Sequence, residues 1–218
     1  MLQPSSSAAQ RRIYQAALRL FAEKGIQHVS VKELAENAGV ARGTIYNHVE
    51  SIEALFEDVA ETLSSEMNQR LILSFRQLHD PDLRLAVGIR LYIKRAHDDP
   101  DWGLFVSRFG FHSTALRRLG ASQPIQILMD GIQSNRYNLN IDQLSACIAM
   151  LTSSVLGAMY LVRDGLRTWR DAGSDCAELV LRALGVPSQQ ARQLATTELP
   201  MLAEQESISS LKHFERPT

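Results

Sequence analysis

Several things are scarce in this sequence, and each scarcity removes a class of function. No P-loop, GxGxxG fingerprint, nucleophile elbow or HExxH pair occurs in its 218 residues, so the common signatures of phosphate-binding, dinucleotide, hydrolase and zinc-protease chemistry are missing. Acidic and histidine side chains are scattered rather than paired at helical spacing. His97, Asp98 and Asp99 stand together, but just before Pro100 they read as a solvated turn, with a metal site as the lesser alternative. No catalytic residue, metal or cofactor is expected. There are two cysteines, Cys147 and Cys176, far apart in apolar contexts. They read as buried free thiols, with a redox switch as the alternative, and fit a reduced, cytoplasmic compartment. Positive charge is not in excess: 23 Lys and Arg face 24 Asp and Glu, for a net charge of −1, so composition advertises no polyanion. The most apolar run, residues 146–162, contains Thr152, Ser153 and Ser154 and falls short of the ~20 residues a spanning helix needs. No membrane partner is expected. The opening MLQPSSSAAQRR has no apolar core after its arginines and is not expected to be a signal peptide. Strand-like alternation is absent over any useful length.

What remains is helical periodicity, and the fold class expected is all-α. Residues 1–9 read as a disordered arm, 10–55 as a three-helix unit, 56–206 as a larger helical domain, and 207–218 as a loose tail. Helix one is expected over 10–24 and ends at Gly25. Ser30 opens helix two as a capping box with Glu33, and Val29 and Leu34 occupy the positions of a hydrophobic staple. Helix three is expected over 41–49, and Ser51 caps helix four. Beyond Pro81, helices are expected over 82–95, 102–119, 124–134, 141–163, 175–184 and 188–204.

The stretch VKELAENAGVARGTIYNHV, residues 31–49, breaks one helix at a glycine and starts another at once. Two helices joined so tightly need a small residue where they cross, which Ala35 supplies. They need a residue able to turn left-handed, which is Gly39. They also need a shared apolar core, which Leu34, Ala38, Val40 and Ile45 provide. These demands are met together in a helix-turn-helix, whose second helix enters the major groove. Ile45 and Val49 then turn inward, leaving Arg42, Gly43, Thr44, Tyr46, Asn47 and His48 outward. Gly43 permits close backbone approach, Thr44 and Tyr46 offer hydroxyls to phosphates, and Arg42 and Asn47 suit guanine and adenine edges. Lys32 is placed for a phosphate. His48 could equally be structural.

Residues 11–56, and GTIYNHV above all, resemble the DNA-binding domain of the TetR family of bacterial transcription regulators. The resemblance implies that Lys32, Arg42, Gly43, Thr44, Tyr46, Asn47 and His48 face double-stranded DNA, and that the chain is a repressor released by a small-molecule effector. The sequence departs from the family pattern in three places. Ala41 stands where a capping serine is usual, Val49 where phenylalanine is frequent, and Ile52 where a phosphate-binding lysine commonly follows the capping serine of helix four. The last change removes one phosphate contact per protomer.

About 150 residues remain after helix four, too many for a DNA reader alone. Between 141 and 163, Leu144, Ile148, Leu151, Val155, Met159 and Val162 recur every three or four residues, with small residues between them. The helix is apolar around much of its circumference and so is expected to bury more than one side. LVLRALGVPSQQARQLATTELP weakly resembles the family's final helical region. The resemblance implies a homodimer built from residues 141–163 and 175–202, with Leu181 and Leu184 joining the interface, reading a near-palindromic operator. Tyr92, Trp102, Phe105, Phe109, His112 and Met129 are the expected lining of an effector pocket, or else ordinary core. The competing readings are a helix-turn-helix used only as scaffold and a small helical enzyme.

Overall fold

The computed structural model describes residues 8–204. Most of the expected arm and all of the expected tail from 207 onward lie outside the described residues. Ala8 and Ala9 are already helical. The described chain forms ten α-helices: α1 (Ala8–Lys24), α2 (Val31–Ala38), α3 (Arg42–His48), α4 (Ile52–Ser74), α5 (Pro81–Asp98), α6 (Pro100–Phe109), α7 (Thr114–Gln133), α8 (Leu144–Arg163), α9 (Trp169–Ala183) and α10 (Ser188–Thr196).

Local chemistry sets most of the boundaries. Ser30 Oγ accepts the Glu33 N–H at 3.2 Å, Ser51 Oγ that of Ala54 at 3.0 Å, and Asp80 those of Asp82 and Leu83. Only half of the expected Ser30–Glu33 box forms. The Glu33 carboxylate is taken by Lys24 at the end of α1, which ties two helices together instead of closing one. Asp99 both ends α5 and caps α6, accepting the Trp102 N–H at 3.2 Å while Arg95 pairs with it at 3.1 Å. The acidic turn at 97–99 is thus a helix junction, and no group of metal-ligating side chains forms among the described residues.

Four expected boundaries shift. The helix expected over 102–119 is two, broken at 110–113, where Ser113 caps α7. α7 then runs through Pro124, although an internal proline costs a helix about 3 kcal/mol; packing on α4 and α5 holds the segment helical. α9 begins at Trp169 rather than 175, because Thr168 accepts the Asp171 N–H at 3.1 Å. α10 stops at Thr196, and 197–204 continue without helix, as the proline at 200 dictates for the residue before it.

α1 to α3 close around Ile13, Ala17, Phe21, Leu34, Ala38 and Ile45, all under 5% exposed. α4, about 35 Å long, leaves this unit and enters the larger domain. Its first half packs on α1, where Phe21 meets Phe56 edge-on at 5.5 Å, and its second half lies along α7. α5 is the central helix of that domain and packs on α6, α7, α8, α9 and α10.

Candidate nucleic-acid interface and effector cavity

The turn between α2 and α3 forms as its residues require. Gly39 is left-handed at φ 61°, and its N–H bonds back to the end of α2. An L side chain is strained in that conformation. Ala35, 3% exposed, lies under the crossing. The Arg12 guanidinium bonds the Gly39 carbonyl at 3.3 Å, which anchors the turn to α1. Ala41 sits at the N-cap of α3 in extended conformation and offers no side-chain hydrogen bond, as expected from the missing serine.

Ile45 is fully buried and holds α3 against the unit. Arg42, Gly43, Tyr46, Asn47 and His48 are exposed, and Thr44 is half-buried. Tyr46 is 68% exposed, a large aromatic surface to leave in water. Among the described residues no side chain engages Arg42, Tyr46, Asn47 or His48. A Cβ added at Gly43 would meet nothing within 4 Å, so a flat backbone patch lies between Arg42 and Asn47. Lys32 is exposed and loosely paired with Glu36 at 4.0 Å, a pair weak enough for a phosphate to displace. Ile52 is partly buried against the core, not held out toward solvent as a phosphate-binding lysine would be.

Among the described residues, three side-chain connections join this unit to the larger domain, one of them the exposed Arg19–Asp101 pair from α1 to α6 at 3.4 Å. The Tyr14 hydroxyl donates to the Val59 carbonyl at 2.8 Å, clamping α1 to α4. Arg108, on α6, reaches the last turn of α1 and donates to the carbonyls of Ala22 (3.0 Å), Glu23 (2.9 Å) and Lys24 (3.4 Å). A guanidinium there satisfies three free carbonyls and opposes the negative end of the helix dipole.

A cavity of about 80 Å³ lies inside the larger domain. Its walls come from α4 (Leu71, Phe75), α5 (Leu85, Gly88, Ile89, Tyr92), α6 (Val106), α7 (Pro124, Ile127) and α8 (Leu151, Val155, Met159). Polar groups are few. The Tyr92 hydroxyl and the Arg84 Nε are buried without a hydrogen-bond partner, and burial pushes the Tyr92 pKa far up, so it stays a neutral donor. Gln123 and Thr152 complete the polar edge.

Of the residues named from sequence for this pocket, only Tyr92 is on its wall. Trp102 and Phe105 are 1% and 0% exposed and form the core behind it. Trp102 packs on Tyr92 at 5.8 Å, and Phe105 and Phe109 stack with Phe56. His112 is exposed and Met129 half-buried, both off the wall. Sequence reading missed Arg84 and Gly88, although Arg84, Gly88 and Tyr92 recur every four residues and so share a face of α5. A cluster of aromatics marks core and cavity alike.

The residues expected to meet a second copy also divide. Leu151, Met159, Leu181 and Leu184 are 4%, 2%, 0% and 2% exposed and pack into the protomer's own core. Leu144, Ile148, Val155 and Val162 are partly buried against that core. The open face of α8 instead carries Ala146, Ala149, Met150, Ser153, Gly157 and Tyr160, with Leu179 of α9 exposed as well. Within Ile141–Arg163 an 18-residue window reaches a mean hydropathy of 1.7, yet only 22% of that window is buried.

The family model described as bacterial regulatory proteins, tetR family, matches residues 13–59, and that of the tetracyclin repressor-like C-terminal domain matches 80–197, over half the chain. The HTH-type transcriptional repressor AcnR of Corynebacterium efficiens is 33% identical over 101 residues, 43% of this chain and 54% of that protein. The uncharacterised HTH-type regulator YxbF of Bacillus subtilis is 35% identical over 75 residues, 34% of this chain and 19% of that protein. The matched stretches thus span about half or less of these curated relatives. Among solved structures, RolR in complex with resorcinol is 25% identical with a TM-score of 0.69, covering 89% of this chain and 96% of that one. A tetR-family regulator from Shewanella has a TM-score of 0.71 at 18% identity, over 82% and 98% of the two chains.

Proposed function

The chain belongs to the TetR family of bacterial regulatory proteins, and on that premise we propose that it is a cytoplasmic homodimeric repressor, without enzymatic activity, released from a near-palindromic operator by a small molecule. The observation that carries this reading is the outer face of α3, where Arg42, Tyr46 and Asn47 stand exposed and unengaged on a helix anchored by Ile45. Arg42 and Asn47 read base edges, Thr44 and Tyr46 hold phosphates, and Lys32 supports from α2. His48 belongs to the same face.

The second copy covers the open face of α8. Small residues at 149, 153 and 157 allow close helix approach, and the Ser153 and Ser154 hydroxyls are already bonded to carbonyls of their own helix at 2.8 Å. Such a face suits a protein neighbour that packs tightly.

The ligand occupies the cavity between α4, α5, α6, α7 and α8. Its volume of about 80 Å³ is smaller than the roughly 150 Å³ of a cavity that takes a benzene ring, so a one-ring ligand has to spread the walls, and the unpartnered Tyr92 hydroxyl and Arg84 Nε ask for an acceptor. A phenol-like compound fits, in keeping with the resorcinol held by RolR. Two walls of the cavity lead to the DNA-binding unit. Leu71 and Phe75 are on α4, and Val106 and Gly110 bracket Arg108 on α6. A ligand that spreads the walls moves the end of α1 with α6, and the spacing of the two recognition helices changes. Ligand and operator then weaken each other by the same factor.

The test is to incubate the purified protein with fragmented genomic DNA and sequence what it retains. One enriched near-palindrome with half-sites about one helical turn apart is expected. Uniform recovery at moderate salt would contradict the reading and leave the helix-turn-helix as scaffold.

A further inference from the structure

A second cleft, of about 720 Å³, opens on another face of α5 and is unaccounted for by DNA, effector or dimer. Its volume is in the ~300–1,000 Å³ range of small-molecule sites. Its walls are cationic: Arg90, Lys94 and Arg95 from α5, Arg70 from α4 and Arg170 from α9. Three of these cations are neutralised inside the protein. Glu66 bridges Arg70 and Arg95 at 3.0 and 3.2 Å, Asp99 takes Arg95 as well, and Asp98 takes Lys94.

Arg90 is different. It is 8% exposed, yet among the described residues it has no carboxylate partner. Its one hydrogen bond runs from Nη1 to the Thr197 carbonyl at 2.6 Å, out of five donors a guanidinium carries. The stem of the residue is buried, but its unbonded nitrogens are not shut away from solvent and face the cleft. Arg170 likewise lacks a carboxylate and lies over the Trp169 ring at 4.4 Å. The Trp169 indole lines the cleft together with Leu199 and Leu202 of the segment 197–204. That segment is strapped across the opening by its backbone: the Thr197 carbonyl on Arg90 and the Ala203 carbonyl on Arg70, each at 2.6 Å, and Ser74, whose hydroxyl accepts the Ala203 N–H at 3.2 Å and donates to the Met201 carbonyl at 3.4 Å. Neutral carbonyls thus occupy positions on cations that a carboxylate or phosphate would hold more strongly.

We infer that this cleft binds a small organic anion, its carboxylate or phosphate head on Arg90 and Arg170 and its apolar body between Trp169 and the strap. Binding displaces the Thr197 carbonyl from Arg90 and loosens residues 197–204. The inference does not depend on operator recognition.

The experiment is calorimetric titration of the full chain, at constant ionic strength, with benzoate, phenyl phosphate and neutral benzyl alcohol, alongside hydrogen exchange of the strap. At least one anion is expected to bind saturably, with benzyl alcohol failing to compete, and the tighter of the two identifies the head group. Exchange within 197–204 is expected to rise with saturation. Arg90→Gln should weaken the anion tenfold or more. Because that change could unfold the strap by itself, the exposed Arg170→Ala and the partly buried Trp169→Leu are measured too; each should weaken it several-fold, Arg170→Ala with the thermal melt unchanged and Trp169→Leu with the helical content kept. No saturable anion binding, or binding lost in Tyr92→Phe but retained in the three cleft variants, would overturn the proposal.

Discussion

Ala41 occupies the N-cap of α3 with φ −68° and ψ 149° and no side chain to offer. The backbone there already has the geometry a capping serine uses. Ala41→Ser is therefore expected to stabilise the protein by about 1 kcal/mol, raising Tm by roughly 2–4 °C for a chain of this size; an unchanged melt would mean that the first turn of α3 is satisfied otherwise. Such residue-scale departures were legible in the sequence, because capping depends on neighbours three positions away. Arg108 was not. Its partners, Ala22 to Lys24, are more than 80 residues distant, and nothing local distinguishes it from any other surface arginine. Arg90 was hidden for the same reason. The cysteines were legible: both are free and buried, and burial pushes the Cys176 thiol up to about 12, out of the range of a redox-active thiolate.

Among the elements, the helix-turn-helix could be read in full. Gly39, Ala35 and the apolar set at 34, 38, 40 and 45 specify it by short-range geometry. The larger domain was readable only in outline. Its helices exist where periodicity puts them, but α7 passes through Pro124, which packing by distant helices decides, and α10 stops short, ahead of Pro200. α6 is the element the regulatory account depends on, with cavity-lining Val106 and Gly110 on either side of Arg108. Arg108→Ala should leave a phenol's affinity for the free protein and operator binding without ligand within a few-fold of the parent. It should remove most of the ligand's effect on operator affinity, a coupling that is typically 1–3 kcal/mol. Operator titrations with and without saturating ligand check this; undiminished coupling would place the transmission outside Arg108, in α4 or in the remaining α1–α6 contacts.

For the molecule as a whole, the question is what covers α8. A Cβ at Gly157 would meet nothing within 4 Å, so the protomer itself tolerates a side chain there. Gly157→Arg is expected to keep the helical content, give a monomer by light scattering, and lose operator affinity by orders of magnitude, because one half-site then binds alone. A dimer of unchanged mass would put the interface elsewhere. The sequence showed that α8 is apolar on more than one side but not which side faces inward, because both carry apolar or small residues at helical spacing.

If the outer face of α3 reads the operator, fluorescence anisotropy of the enriched palindrome will separate the parent from Tyr46→Ala and Asn47→Ala. Tyr46→Ala should weaken binding to all sequences alike. Asn47→Ala should cost about 1–3 kcal/mol on the operator and relax the preference at particular bases. If both variants, with their fold intact, bind and discriminate as the parent does, the recognition surface is not on α3.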